Sequence, residues 1–304
     1  MSPISRDSSA ARDVATSGLS GSARLPLLAV ALIGIASCGG HDDGAAPDPI
    51  PAGPQGAVGQ FVVECAWSHS GFDDPIVHPG HAGASHRHDF FGNTTTDAQS
   101  EYESLLAGDT TCRQRLDTAA YWVPSLLDTR GAPIEPLGST AYYRAGVGAD
   151  PATVQPYPPG LMMVAGDAGA TSPSPISIIA WSCGTGGMRE PAPPPCSATV
   201  GPRLLVTFPD CWDGALLDTE DHRSHVAYSH DGQCDDDHPV AIPQLQFAVD
   251  YPAIADDPAT LSLASGSFDT AHADFWNAWD QDKLVDDVTL CLQRDIVCGV
   301  SEGI

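Results

Sequence analysis

The sequence predicts a mainly-β domain, a disulfide-stabilised β-sandwich with long loops and a few short helices, and three observations carry that prediction. Short runs rich in β-branched and aromatic residues recur along the chain. Glycine and proline, 30 and 27 of the 304 residues, punctuate them. Cysteine is abundant and, past the N-terminal segment, even in number. In order, the strand-like runs are "FVVECAW" from Phe61, "AAYWVPSLL", "STAYYRAG", "LMMVAG", "ISIIAWSC", "RLLVTFP", "SHVAYS" and "LQFAVDY". Two stretches read as helices: "DAQSEYESLLAG", closed by a glycine, and "DQDKLVDDVTLCLQRD", which places Leu284, Val288 and Cys291 or Leu292 on one face.

Three segments are expected. Residues 1–37 read as a lipoprotein signal peptide: arginines 6, 12 and 24 precede the apolar "LPLLAVALIGIAS", too short to span a bilayer comfortably. Ile35-Ala36-Ser37-Cys38 matches the bacterial lipobox, making Cys38 the lipidation site; the alternative is an ordinary secretory signal cut near Ala36. Residues 38–59, rich in Gly, Pro, Ala and Asp, form a flexible tether, and residues 60–304 the domain. The protein is thus expected to be exported, anchored to the membrane by lipid alone, and to face the periplasm or cell exterior.

Export suits the cysteines. Without Cys38 there remain Cys65, Cys112, Cys183, Cys196, Cys211, Cys234, Cys291 and Cys298, and pairing neighbours gives 65–112, 183–196, 211–234 and 291–298. A cysteine zinc site is disfavoured because no C-x-x-C occurs. Thirteen basic residues against thirty-nine acidic ones give a net charge of −26, which repels phosphate backbones and excludes nucleic acid as a partner.

Histidine is the informative residue. Five of the eleven lie in "HSGFDDPIVHPGHAGASHRH" (69–88) and four in "TEDHRSHVAYSHDGQCDDDHP" (219–239). Histidine titrates near neutral pH and is the commonest metal ligand, so such clustering points to a site. His86 and His88, two apart, share a face if extended, although the flanking prolines and glycines favour a loop. In "FPDCWDGALLDTEDHRSHVAYSH", Trp212 offers a flat platform for a sugar ring or for packing, and Tyr228 lies nearby as a second substrate-binding candidate. Asp213, Asp221, His222 and His225 follow; a helical turn would put the two histidines on one face, and a strand would turn His225 away from Val226 and Tyr228. Asp221 or Asp213 could fix an imidazole tautomer. In "HADFWNAWDQDKL", His272 and Asp274 flank what reads as the start of a helix, with Asp274 as a possible N-cap. Asp235, Asp236 and Asp237 lack the glycine and glutamate of a calcium loop. No G-x-S-x-G, P-loop or H-E-x-x-H occurs.

The ordered blocks "DPIVHPG…SHRHDFFG", "YWVPSL", "PYPPGLMMVAGD", "WSC", "FPDCWDG…DTEDHRSHVAY", "CDDDHPVAIP" and "HADFWNAWD…LC" resemble the secreted proteins grouped as domain of unknown function 1996. The resemblance runs from Phe61 to Cys291 and implies an extracellular, disulfide-linked domain whose histidine blocks meet in space. Two departures stand out: His78 replaces a more usual serine and is left out of the site, and Asp235 replaces a proline. The candidate catalytic residues are His86, His88, Asp213, Asp221, His222, His225, His272 and Asp274, with His86, His88 and His225 as metal ligands. The sequence names no cofactor; the metal-dependent reading implies a divalent metal ion. The expected function is a hydrolase, glycosidase-like or metal-dependent, acting on extracellular carbohydrate or a cell-surface polymer; the alternative is a non-catalytic glycan-binding or surface-structural lipoprotein.

Overall fold

The computed structural model describes residues 59–298. The expected signal peptide and lipidation site, Cys38, and nearly all of the expected tether lie outside the described residues. Sixteen strands run in the order β1 (Gln60–Cys65), β2 (Trp67–Gly71), β3 (His88–Gly92), β4 (Ala120–Pro124), β5 (Leu126–Leu127), β6 (Gly138–Arg144), β7 (Met162–Gly166), β8 (Ile179–Cys183), β9 (Pro202–Thr207), β10 (Cys211–Trp212), β11 (Val226–Ala227), β12 (Val240–Ala241), β13 (Gln244–Asp250), β14 (Ser262–Leu263), β15 (His272–Trp276) and β16 (Val297–Cys298). Two large sheets form the sandwich, one ordered β16-β1-β6-β13-β9-β8 and the other β2-β3-β4-β15-β7, with small accessory sheets beside them. Pairing in both is antiparallel except between β1 and β16.

Alternation builds the interface between the sheets. In β6, Ala141 and Tyr143 point inward while Tyr142 and Arg144 point out. Phe247 of β13 stacks on Tyr121 of β4 at 5.1 Å between ring centres and meets Phe91 of β3 edge-on at 5.6 Å. A smaller apolar cluster, with Ile76, Phe90, Trp122, Val164 and Trp276, lies on the outer face of the five-stranded sheet under the long loops. The four disulfides join Cys65–Cys112, Cys183–Cys196, Cys211–Cys234 and Cys291–Cys298, the neighbour pairing expected from the sequence.

Three local expectations change. "SHRHDFFG" is not a loop throughout: from His88 it becomes β3, fully buried between β2 and β4. "HADFW" is β15 rather than a helix start, because His272, Asp274 and Trp276 alternate with the core residues Ala273 and Phe275. The helix begins later, where the Asp280 carboxylate caps Lys283 N–H at 2.9 Å, and runs over Gln281–Asp287, continued by a wider turn over Val288–Leu292. The first expected helix shrinks to Tyr102–Leu106, since Asp97 and Ser100 tie the preceding residues into a turn.

Candidate metal centre

The outer face of the five-stranded sheet brings two histidines together across a proline. His88 of β3 pairs with Pro124 of β4, and the β4–β15 register, continued two residues beyond Trp122–Asp274, sets His272 against the other side of that proline. No long side chain separates the imidazoles. On the far side of His272 the partner is Gly166 at φ +83°, where a Cβ would collide with the Ala271 carbonyl, so that position also leaves the histidine uncovered. His86 reaches the same place from the segment before β3, its ring centre 4.3 Å from His88 and 5.0 Å from His272.

Hydrogen bonding fixes which nitrogens are free. His88 Nδ1 lies 3.0 Å from the Asp73 carbonyl oxygen and His272 Nδ1 lies 2.8 Å from that of Thr270. A carbonyl oxygen only accepts, so each Nδ1 carries a proton and donates, and each neutral ring keeps a bare Nε2. Those two nitrogens face each other at 3.4 Å. His86 Nε2 is buried without a hydrogen-bond partner among the described residues. Ligand atoms of the three histidines all fall within 4.8 Å of one another.

Two carboxylates complete the cluster. Asp274, buried on β15 next to Val164 and Trp122, has no hydrogen-bond partner on either oxygen, and one oxygen lies 3.9 Å from His272 Nε2. Asp74, in the loop after β2, accepts from Ile76 and Val77 N–H at 3.1 and 2.9 Å through one oxygen. Asp74, His88 and Asp274 form a second close triad that shares His88 with the first.

Burial dominates the electrostatics. It lowers the pKa of His86, with the nearby His78 adding to the effect; it lowers His88 well below the usual imidazole range, helped by His272 and His86; and it brings His272 to about 4. The same burial raises Asp274 well above the ordinary carboxyl range, with Asp74 contributing, and raises Asp74 against the opposing backbone N–H groups. Imidazoles whose neutral form burial favours, beside two carboxyls whose ionised form it disfavours, suit a cation, which would stabilise the ionised carboxylates.

Two neutral acceptors 3.4 Å apart repel unless something positive lies between them. Tetrahedral coordination with Zn–N bonds of about 2.05 Å separates neighbouring ligand atoms by about 3.3 Å, close to the spacing found. A shared proton fits less well, because 3.4 Å is long for a hydrogen bond and burial opposes the imidazolium.

The centre opens into a cavity of about 340 Å³, at the small end of ligand pockets, whose wall includes His78, Asp167, Asp221, His222 and Arg223. His222, at φ 57°, is held by the Asp218 carboxylate at 3.0 Å. Asp221 accepts from Thr219 Oγ1 and from the backbone N–H of Arg223 and Ser224; hydrogen bonds, led by that from the Ser224 hydroxyl, hold its pKa far below the usual carboxylate range. The remaining candidates stand apart from the metal cluster. His225, expected as a ligand, has both nitrogens occupied, Nε2 by the Met162 carbonyl at 2.7 Å and Nδ1 by Thr219 Oγ1 at 3.2 Å, and His272 takes its place in the triad. Asp213 caps the turn at Ala215 and Leu216, and Trp212 Nε1 donates to the Leu216 carbonyl at 2.6 Å. Tyr228 donates to Thr207 O and lines an adjoining cleft, which shares Val164, Asp167 and Arg223 with the cavity. Asp235 caps its own turn at Asp237 and His238.

Sequence reasoning missed Asp74, Asp167 and Arg223, and it set aside His78, which lies in the cavity wall. Asp74 and His78 belong to the quoted "DPIVHPG" block, which was the available signal.

A β-sandwich with a three-histidine, two-carboxylate cluster on one outer face, buried but for the half-buried His86, defines a candidate metalloprotein domain. The model of the family described as domain of unknown function DUF1996 matches residues 74–279, a span from the first of these ligands past the last, and the chain belongs to that family. Neither the curated proteins nor the solved structures give a match to it.

Proposed function

We propose that the protein is a metal-dependent hydrolase in which His86, His88 and His272 hold a divalent transition ion, working outside the cytoplasm on carbohydrate or a cell-surface polymer. The observation that carries the reading is the pair of bare Nε2 atoms facing each other at 3.4 Å, with the unpartnered Nε2 of His86 beside them. When bound at three histidines with an open position, such an ion acidifies water and polarises the bond to be cleaved. The chain's own contributions are distinct. Thr270 and Asp73 carbonyls orient the ligand rings; Asp274, with a carboxyl that readily holds a proton, stands beside them as acid or base. The polar cavity wall, with His78, Asp167, His222 and Arg223, offers hydrogen bonds to a hydroxyl-rich substrate. Four disulfides support an extracytoplasmic setting.

The test is elemental analysis of protein purified without a histidine tag, with release of reducing ends from polysaccharides measured in parallel. Stoichiometric metal lost in His86→Ala and His88→Ala, together with metal-dependent release, supports the proposal. Metal retained with both histidines removed would overturn the assigned centre, and bound metal without turnover on any polymer would overturn the hydrolase and favour glycan binding.

A further inference from the structure

The opposite face of the sandwich carries a cluster that the metal centre does not use. On the outer side of the six-stranded sheet, the guanidinium carbons of Arg144 and Arg203 lie 5.4 and 5.9 Å from the centre of the Tyr142 ring. Arg189, from the loop after β8, joins them in lining a cavity of about 440 Å³ with Gln60, Thr185 and Gln246. In a chain with three times as many acidic as basic residues, three arginines meet in one place.

Their partners are unequal. Arg203 is buried and anchored: Nη1 donates to Thr185 Oγ1, Nη2 donates to the Tyr142 hydroxyl at 3.1 Å, and Nε lies 3.5 Å from Asp250. Arg144 and Arg189 have no carboxylate within 4 Å among the described residues, and Arg144 Nε is buried with no hydrogen-bond partner. Burial, with Arg189 adding repulsion, pulls the Arg144 pKa below its usual value. Gathering like charges while acidic groups are plentiful elsewhere is costly, and an anion held between the guanidinium groups would offset that cost.

We propose that this cavity is a second binding site, for an oxyanion, with Arg144 and Arg189 supplying the free N–H donors and Arg203 and Tyr142 the fixed floor. A carboxylate, sulfate or phosphate group fits the planar forks of arginine. The group is carried either by a sugar acid or by a free inorganic ion. The proposal stands independently of the metal centre, since no residue is shared.

Calorimetric titration of the full chain with sodium glucuronate, sulfate and phosphate, each against sodium chloride at matched ionic strength, tests it. Saturable binding of at least one anion is expected, weakened by about tenfold or more in both Arg144→Gln and Arg189→Ala, each removing a charge-assisted donor. The circular dichroism of both variants should match the parent, which separates a lost site from a lost fold; Arg189 is exposed, so its variant has no folding role to confuse the result. A preference for glucuronate indicates a sugar acid, and a preference for the inorganic ions indicates the free anion. No saturable binding of any anion, or binding unchanged in either variant, overturns the site.

Discussion

His88→Ala gives the sharpest test of the metal centre, because His88 belongs to both ligand triads. An ion present at 100 times its dissociation constant stabilises the folded state by about 2.7 kcal/mol. For a domain of this size, each kcal/mol moves the melting temperature by roughly 2–4 °C, so zinc should raise that of the parent by about 5–11 °C over the chelator-treated protein. Losing even an outer-shell partner of a metal site costs about 10–100-fold in affinity, and losing a ligand at least as much. At a 100-fold loss the same zinc concentration stabilises by only about 0.4 kcal/mol, a shift of about 1–2 °C. Comparing each variant with and without metal removes the intrinsic penalty of the substitution, which here includes the lost hydrogen bond to Asp73 and an unfilled volume. His225→Ala is the control: it destabilises the protein by stranding the Met162 carbonyl, yet keeps the metal-linked shift. Differential scanning fluorimetry with zinc, cobalt, nickel and copper reads all of this. A parent shift under 1 °C with every ion, or equal shifts in the parent and His88→Ala, refutes the reasoning.

Other consequences follow from burial and from covalent links. The metal-linked shift should persist to lower pH than at an exposed histidine cluster, because burial lowers His86, takes His88 well below the usual imidazole range and brings His272 to about 4; melting curves from pH 7.5 to 4 show whether it does. Asp274→Asn removes a carboxylate beside the ions' place, so metal affinity should fall while the metal-free protein becomes no less stable, since neither oxygen accepts a hydrogen bond; titration and chelator-treated melting separate the two effects. Asp117, buried beneath the Tyr121 hydroxyl, has its pKa raised to about 8 by burial, against 3.8 when free. The folded chain therefore holds a proton that the unfolded chain releases, and stability should decline as pH rises between about 4 and 8, by up to about 1.4 kcal/mol per unit, then level off. Urea denaturation of Asp117→Asn across that window should lack this part of the slope. Removing the Cys211–Cys234 bridge, which closes a loop across 23 positions, should cost about 3 kcal/mol by the same assay and leave metal content intact, as no ligand lies in that loop.

What the sequence reveals and what it conceals have a common physical origin, the range of the interaction involved. The alternation in "STAYYRAG" and "LQFAVDY" is local, and those runs are strands. The spacing of His86 and His88 is local as well, and the two rings do meet. "HADFWNAWD" misleads because Phe275, Trp276 and Trp279 are spaced as on a helical face; the register against β4 and β7 overrides that pattern, and it is set by residues more than a hundred positions away. Asp74 hides in an Asp-Pro pair that reads as a turn, and it is one, with a spare carboxylate oxygen.

The same argument explains why the centre is hard to read as scaffold once the fold is known. A histidine kept only for structure uses both nitrogens, as His225 does against Met162 and Thr219. His88 and His272 each satisfy one nitrogen on a carbonyl and turn the other toward its twin across Pro124, a short ring that lets them approach. A fold selecting for stability alone would gain by making one of the pair apolar, since unsatisfied buried acceptors cost roughly 1–3 kcal/mol each. Next to them Asp274 leaves two more acceptors unsatisfied in the same few ångströms. The facing imidazole nitrogens and the unpartnered oxygens of Asp274, gathered from β3 and β15 into one place, are groups that a cation would satisfy and that hydrogen bonding within the chain leaves open.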